Sequence, residues 1–541
     1  MALAAQGVRK VDLADSTLRS AGRAFILCLS FANLCFMNVW IDMQDREGSF
    51  YRKFALSWNH LAAVTLDILI LTVALWEPVC LVVRAGNRTW IRILKWCILA
   101  GLILPLNIIR TDPYFVEQSS EIMQGKGWQV VLGIIGIGLA LFLLLRWEKL
   151  STGVAATILV ILFPALPLAL ARTTWVLYTG PPAGVLPNKP LVPPLPQPAR
   201  APHVLWILFD EWDQFLTFEG RAGGERLPEL DRFRSHALHA SHAYAPGHST
   251  MISVPSFLTG KVFVDSKPLG SSDMLLTGQP GQPSETLSAQ STIFPEARGS
   301  GFNVGIVGWY LPYCRFIQGC TTCSWRLATG VEEADTKVSV ARFMLVTAGR
   351  QLRKVPLMLR LGIAPRPDTW EEMQLASFRL LEQDALESVR DPRLNLLFVH
   401  LNVPHPPTIY DAAKGTLSTA QDHTYMDNVA LLDRTLGGIR RTLEKAGMWD
   451  TSTILLTSDH PLRIGVPRDR PRPTWERALQ GVKQSSEVPF LLKMAGQKQG
   501  LAYDAAMQTI VTKDLLLAIL KGEISQPEQA AAWLDHTPPR R

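Results

Sequence analysis

Apolar residues crowd the first third of the chain into five runs, at about 24–41, 58–83, 90–109, 128–145 and 154–178. Each is about 18 residues or longer, enough for a helix to cross a hydrocarbon core about 30 Å thick. A single run of this kind would also suit a buried core helix. Five in succession, with Trp58, Trp90 and Trp128 at their ends, favour a membrane domain over residues 1–179, because indole rings prefer the boundary between headgroup and hydrocarbon. The first run is followed by four more and by no small-residue cleavage site, so it reads as a span and not as a removed leader.

Beyond position 179 the pattern changes. Proline is dense over 180–202, which excludes helix and predicts an extended polyproline spacer. From 203 to 525, short β-rich apolar runs alternate with segments of helical period. Strands are predicted over 204–209, 303–307, 394–400, 452–457 and 488–493, and helices over 228–239, 370–388 and 425–446. This alternation predicts an α/β domain, an α/β/α sandwich around a mostly parallel sheet, with ligands at the carboxyl ends of the strands. Residues 526–541 are polar and end in prolines, and are expected to form a flexible tail.

Charge orients the membrane domain. Arg9, Lys10, Arg19 and Arg23 precede the first run, Arg84 and Arg88 lie between the second and third, and Arg146 and Lys149 between the fourth and fifth. The other two connections balance their bases with acids such as Asp45 and Glu117. Basic loops stay in the cytoplasm, so the N-terminus is expected inside and everything after Tyr178 outside. This describes a multi-pass protein of the inner (cytoplasmic) membrane whose part after Tyr178 is periplasmic or extracellular. The net charge of +7 partly reflects those bases; no basic stripe with interleaved aromatics occurs, and no nucleic-acid partner is expected. Within the second run, Asp67 and Glu77 are acids at membrane depth, which calls for a polar cavity or a partner; pairing with another helix and contact with substrate are both open.

Cys28, Cys35, Cys80 and Cys97 lie in the membrane runs and suit small apolar fillers. Cys314, Cys320 and Cys323 fall in the exported part. Their spacing also fits zinc, but an oxidising compartment favours one local disulfide, of unassigned pairing, with one thiol left over.

The candidate chemistry sits at strand ends. Asp210-Glu211 closes the strand at 204–209, and Asp459-His460 the strand at 452–457. Carboxylates and imidazoles so placed are ligands for a divalent cation. In a regular strand Asp210 and Glu211 would point to opposite faces; where the chain turns, both can reach one ion, or one can cap the next helix. Thr250 lies in a hydroxyl-rich loop with Ser249 and Ser253, entering a helix whose free N–H groups suit a tetrahedral anion. A hydroxyl beside a cation can be ionised into a nucleophile, and spacing alone does not choose among the three. His400 and His405 follow another strand, on a loop stiffened by Pro404, Pro406 and Pro407, and suit a group that protonates a leaving oxygen or binds the transferred anion. Zn2+ fits the Asp/His set best, and Mn2+ or Ca2+ would accept the carboxylates.

With these residues in place, the chain resembles the alkaline phosphatase/sulfatase superfamily, collinearly from about 201 to 522. The resemblance rests on Leu227–Phe233, His242–Pro246, Leu258-Thr259-Gly260, Gly301–Gly308, Tyr425–Asp433 with Ser458-Asp459-His460, Val488-Pro489-Phe490 and Lys513-Asp514-Leu515. Leu258-Thr259-Gly260 resembles the family's terminator after the nucleophile, which implies Thr250. Sulfatases convert a cysteine within C-x-P-S-R to formylglycine; Thr250, Ile252, Ser253 and Val254 stand there instead, so that modification is not expected. Ser249–Pro255 is similar to the S-T-A-x-S-V-P of membrane phosphoethanolamine transferases, and His400, His405 and Pro407 to their H-x4-H-x-P loop. Those enzymes and the lipoteichoic acid synthases also place five membrane helices before an exported catalytic domain. Departures are Asp210, where the transferases have Gly, Pro461 after Asp-His, and no histidine between Pro461 and Gly496.

The resemblance implies a metal-dependent membrane phosphotransferase. Thr250, beside a metal on Asp210, Glu211, Asp459 and His460 and itself a ligand, would take a headgroup phosphate from a membrane phospholipid donor. A phospho-threonine would pass it to an envelope glycan or lipid acceptor, with His405 and His400 assisting. A membrane-tethered phosphodiesterase or phosphatase would use the same residues, and an inactive module that binds anionic glycan or lipid is the alternative outside catalysis. A reporter active only outside the cytoplasm is expected to work when fused after Pro202; activity after Arg88 with none after Pro202 would reverse the orientation.

Overall fold

A computed structural model of the protein describes residues 20–45, 48–102, 104–105, 146–181, 186–198, 201–221, 225–327, 339–364, 366, 368–420, 422–464, 479 and 486–537. Helices α1 (Ser20–Cys35) and α2 (Met37–Gln44) meet at 55°. They precede α3 (Trp58–Ala85), α4 (Arg88–Gly101), α5 (Glu148–Leu162) and α6 (Ala165–Thr179). Two helical stretches, α3 and Lys149–Thr179, are long and apolar enough to cross a membrane, and the bent α1–α2 pair would make a third. The first, second and fifth apolar runs thus correspond to helices able to span. The third is seen as the 14-residue α4, and the run at 128–145 lies outside the described residues. Five spans are therefore not shown.

The connection after α2 is embedded in the globular part. Phe50 is fully buried in its core and stacks on Phe316 at 6.3 Å. The Arg315 guanidinium donates to the carbonyls of Phe50 and Arg52 and lies 4.8 Å over the Trp325 ring. The Tyr51 hydroxyl donates to Met251 Sδ at 3.3 Å, next to Thr250.

An eight-stranded sheet forms the centre of the globular part: β1 (His203–Asp210), β2 (Leu238–Ala240), β3 (Val304–Trp309), β4 (Thr322–Arg326), β5 (Leu396–Pro404), β6 (Ser452–Ser458), β7 (Phe490–Lys493) and β8 (Leu501–Tyr503). Their spatial order is β8-β2-β7-β6-β1-β5-β3-β4. Neighbours from β6 to β4 pair in parallel, and β7 runs against both β6 and β2. β1 is buried along its whole length, as a strand covered on both faces must be. Its side chains alternate between two cores: Val204, Trp206 and Leu208 face one, Leu205, Ile207 and Phe209 the other. The first core lies under the helices Thr250–Thr259 and Thr512–Leu520, the second under Trp370–Ser388 and Tyr425–Lys445. This is the expected α/β sandwich with a mostly parallel sheet.

Three expectations change. The helix expected over 228–239 is α7 (Pro228–Arg234), which stops early because Leu238–Ala240 is drawn into the sheet as β2, between β7 and β8. Pairing on both sides outweighs local helical preference. The stretch at 186–198 is extended, as proline requires, yet it is no free spacer. Leu186 N–H donates to Lys53 O, Lys189 N–H to Cys314 O and Val192 N–H to Cys320 O, and Leu195 exchanges hydrogen bonds with the Asn303 side chain. The expected flexible tail contains the helix Pro527–His536, which starts on a proline, is capped by Gln526 and Gln529, and buries Ala530 and Leu534. Apolar spacing of three to four residues outweighs the polar composition there. The local disulfide is Cys314–Cys323, leaving Cys320 as a buried thiol.

Phe50→Ala removes a wholly buried ring and is expected to cost about 3 kcal/mol. Thermal unfolding of the full chain checks it; an unchanged melting temperature would show that this loop is not part of the globular core.

Candidate active site

Strand periodicity assembles the site. On β1, Asp210 continues the row Val204, Trp206, Leu208; on β5, His400 continues Leu396 and Phe398; after β6, Asp459 falls in step with Leu455. Steps of two put all three functional side chains on the face covered by the helix that carries Thr250. Register does the rest. Phe209 pairs with Ser458 and Leu208 with His400, so the parallel strands end level and deliver Asp210, Asp459 and His400 to one place.

Thr250 opens α8 (Thr250–Thr259), with Ser249 as the extended residue before it. Gly247 lets the preceding loop close onto that helix: a Cβ there would meet Ile252 Cγ2 at 2.6 Å. The Thr250 hydroxyl donates to Asp459 Oδ2 at 2.7 Å and stands 3.3 Å from Asp210 Oδ2 and 3.5 Å from His460 Nε2. Asp459 Oδ1 accepts the backbone N–H groups of His460 (2.8 Å) and Glu211 (3.2 Å), which fixes the carboxylate plane. Ser249 and Ser253 are not among these contacts of the Asp/Asp/His cluster.

Asp210, Asp459, His400 and His460 are fully buried. Burial, then the neighbouring Asp459 and Glu211 carboxylates, push the Asp210 carboxyl well above its usual range. Burial also raises Asp459. Both imidazoles are lowered to about 4, chiefly by burial, and so are neutral at pH 7. One ligand atom each from Asp210, Asp459 and His460 lies within 4.8 Å of the others. Asp210 Oδ1 has no hydrogen-bond partner among the described residues. Two carboxylates facing each other out of water, a neutral imidazole lone pair and an orphaned oxygen form a donor set that fits a divalent cation.

The expected residues divide by role. Glu211 has a left-handed backbone (φ 57) that turns it out of the strand, and its carboxylate accepts from Arg463 Nε at 2.6 Å. Tyr425 braces that turn, its hydroxyl donating to Glu211 O at 2.7 Å. His400 points Nε2 toward Asp210 Oδ2 at 3.9 Å, while Nδ1 is 2.8 Å from the Tyr313 hydroxyl. His405 is half-buried, with Trp309 packed edge-on at 5.3 Å. His405 therefore lies nearer the open side, and His400 beneath the carboxylates. Sequence reasoning missed Arg463, Tyr313 and Trp309. A base three residues after Asp-His was a readable signal for Arg463; nothing local marked the two aromatics. Asp67 finds its partner in the Thr347 hydroxyl of the globular part.

Asp459→Asn is expected to strip a bound divalent ion while the fold survives, because two large cores hold the sheet without it. Elemental analysis beside circular dichroism checks this; parental metal content in the variant would remove Asp459 from the ligand set.

The family model described as Sulfatase matches residues 379–538, a stretch that holds His400, His405, Asp459 and His460. Among curated proteins, none matches the chain. Similar solved structures include one from a study of the metabolism of multiple glycosaminoglycans by Bacteroides thetaiotaomicron, at 15% identity and TM-score 0.43, covering 63% of this chain and 83% of that one. A protein in the alkaline phosphatase superfamily from Vibrio parahaemolyticus is 14% identical, with TM-score 0.37 and coverage of 61% and 68%. The phosphonate monoester hydrolase of Agrobacterium radiobacter is 14% identical, with TM-score 0.33 and coverage of 59% and 74%. The family likeness thus covers residues 379–538, the C-terminal part of the α/β domain.

Proposed function

We propose that the protein is a metal-dependent membrane phosphotransferase that moves a phospholipid headgroup phosphate onto an envelope glycan or lipid through a phospho-threonine. The observation that carries this reading is the Thr250 hydroxyl at a helix N-terminus, 2.7 Å from Asp459 inside the Asp/Asp/His cluster. A threonine cannot become the formylglycine that sulfatases use, so the nucleophile is its own oxygen, and the covalent species is an ester that a second alcohol can attack.

A divalent cation held by Asp210, Asp459 and His460, with Glu211 and Thr250 as further candidate ligands, would lower the pKa of the adjacent hydroxyl and offset phosphate charge. The Thr250 proton leaves along its hydrogen bond to Asp459 as Oγ1 attacks phosphorus. The Oγ1–P bond forms and the bond from phosphorus to the diacylglycerol oxygen breaks. His405 gives that oxygen its proton. In the second half the acceptor hydroxyl returns a proton to His405, attacks phosphorus, and displaces Thr250 Oγ1, which recovers its proton from Asp459. His400, neutral and tied to Tyr313, positions Asp210 from below. The helices able to span a membrane keep a lipid donor within reach.

Hydrolysis is the second reading, favoured by the sulfatase family match, with water replacing the acceptor and no change of residues. Phospholipid vesicles without acceptor separate the two: steady headgroup release means a hydrolase, and a single accumulated phospho-enzyme means a transferase.

Thr250→Ala is expected to lower turnover at least about 10³-fold, about 4 kcal/mol of barrier, and to abolish the phosphopeptide detected by mass spectrometry. Ser249→Ala and Ser253→Ala should keep the covalent species, and Thr250→Ser part of the activity. Near-parental transfer by Thr250→Ala would dismiss Thr250 as the nucleophile.

A further inference from the structure

Two short helices that interrupt the sandwich, α9 (Val340–Arg353) and α10 (Pro356–Arg360), take no part in the chemistry. They have an unusual surface. Among the described residues after 203, ten large hydrophobic side chains are exposed; seven lie between positions 345 and 363, and only Val264, Leu269 and Trp370 lie elsewhere. Leu345 is 76% exposed, Leu361 60% and Leu357 56%, values that cost free energy in water. From 340 to 360 the chain carries five basic residues and no acidic one.

The opposite face of α9 is seated on the membrane helices. Phe343 packs on His60 with ring centroids 4.2 Å apart, Thr347 donates to Asp67, and Gln351 donates to Asn38 Oδ1 at 3.1 Å. Asp67 is nine residues past the start of α3, so the contacts at His60 and Asp67 lie within about 15 Å of its first residue at 1.5 Å per residue. That end of α3 adjoins the loop holding Phe50 in the globular core, and so marks where hydrocarbon meets water. An acidic side chain inside an apolar helix finds a hydroxyl brought in from the exported part, and the depth of α9 is fixed by it.

We propose that α9 and α10 lie in the outer boundary of the bilayer. Leu345, Leu357 and Leu361 enter the acyl region, and the arginines at 342, 353 and 360 meet anionic headgroups. The occupant of this apolar face is lipid, because the face continues a surface already formed by helices able to span, and its flanking charge is of one sign. Shallow amphipathic helices with basic flanks bind in this way. The assignment is independent of the reaction at Thr250, since no residue of the cluster takes part.

The test uses the full chain in nanodiscs of phosphatidylcholine and phosphatidylglycerol, with a benzophenone amino acid in place of Leu345, Leu357 or Leu361. Lys498, exposed beside Asp450 on the globular surface, is the control position. After illumination, mass spectrometry is expected to find lipid adducts at least ten-fold more abundant at the three leucine positions than at 498. Equal yields at 498, or adducts to a second copy of the chain in place of lipid, overturn the proposal. Omitting phosphatidylglycerol is expected to lower the yield at all three; an unchanged yield overturns the role given to the arginines.

Discussion

Two carboxylates that cannot escape each other are the constraint on which the structure turns. Asp210 and Asp459 end adjacent parallel strands in full register, at zero exposure, with a hydroxyl bridging toward both. Such a pair is tolerable only where a cation or protons offset its charge. The sandwich around it supplies what the pair requires. β1 and β6 hold the two ends level, α8 brings its first turn over them, and His400 and His460 pack against the pair with neutral rings. Shifting β1 by one residue would send Asp210 to the other core and replace it with Phe209.

Much of this was legible in the chain because strand ends and periods of two are local signals. Asp210, Asp459 and His460 come together as their positions after apolar runs implied; Thr250, which position alone did not separate from Ser249 and Ser253, was singled out by the family resemblance, and its hydroxyl joins them. The order of the strands was not legible, since pairing between residues more than two hundred positions apart leaves no local trace. For the same reason β2 was read as the end of a helix. Polar composition hid the helix at 527–536, whose few apolar side chains suffice to dock it. Proline density correctly gave an extended backbone at 186–198 but said nothing of where its N–H and C=O groups would be satisfied. Arg463 and Tyr313 act through partners distant in sequence, Glu211 and His400.

The globular part and the helices are joined by more than their covalent connection. Arg315 bonds the loop after α2, Phe50 sits in the main core, and Thr347 reaches Asp67. Buried contacts of this kind resist the hinge motion that a short polar linker would permit. Tyr51 carries the coupling to the residue beside Thr250 and packs against Tyr310 at 5.3 Å, so the loop after α2 borders the candidate site.

The hydrogen-bonded proline segment has one more consequence. A free tether would let the Thr250 site sweep a volume at any height above the helices. Stapled to Lys53, Cys314, Cys320 and Asn303, this segment works as a splint. Height and tilt above the helices then become fixed quantities, like the jaw setting of a clamp. Lengthening the splint would then not extend the reach of the Thr250 site unless those staples were also removed.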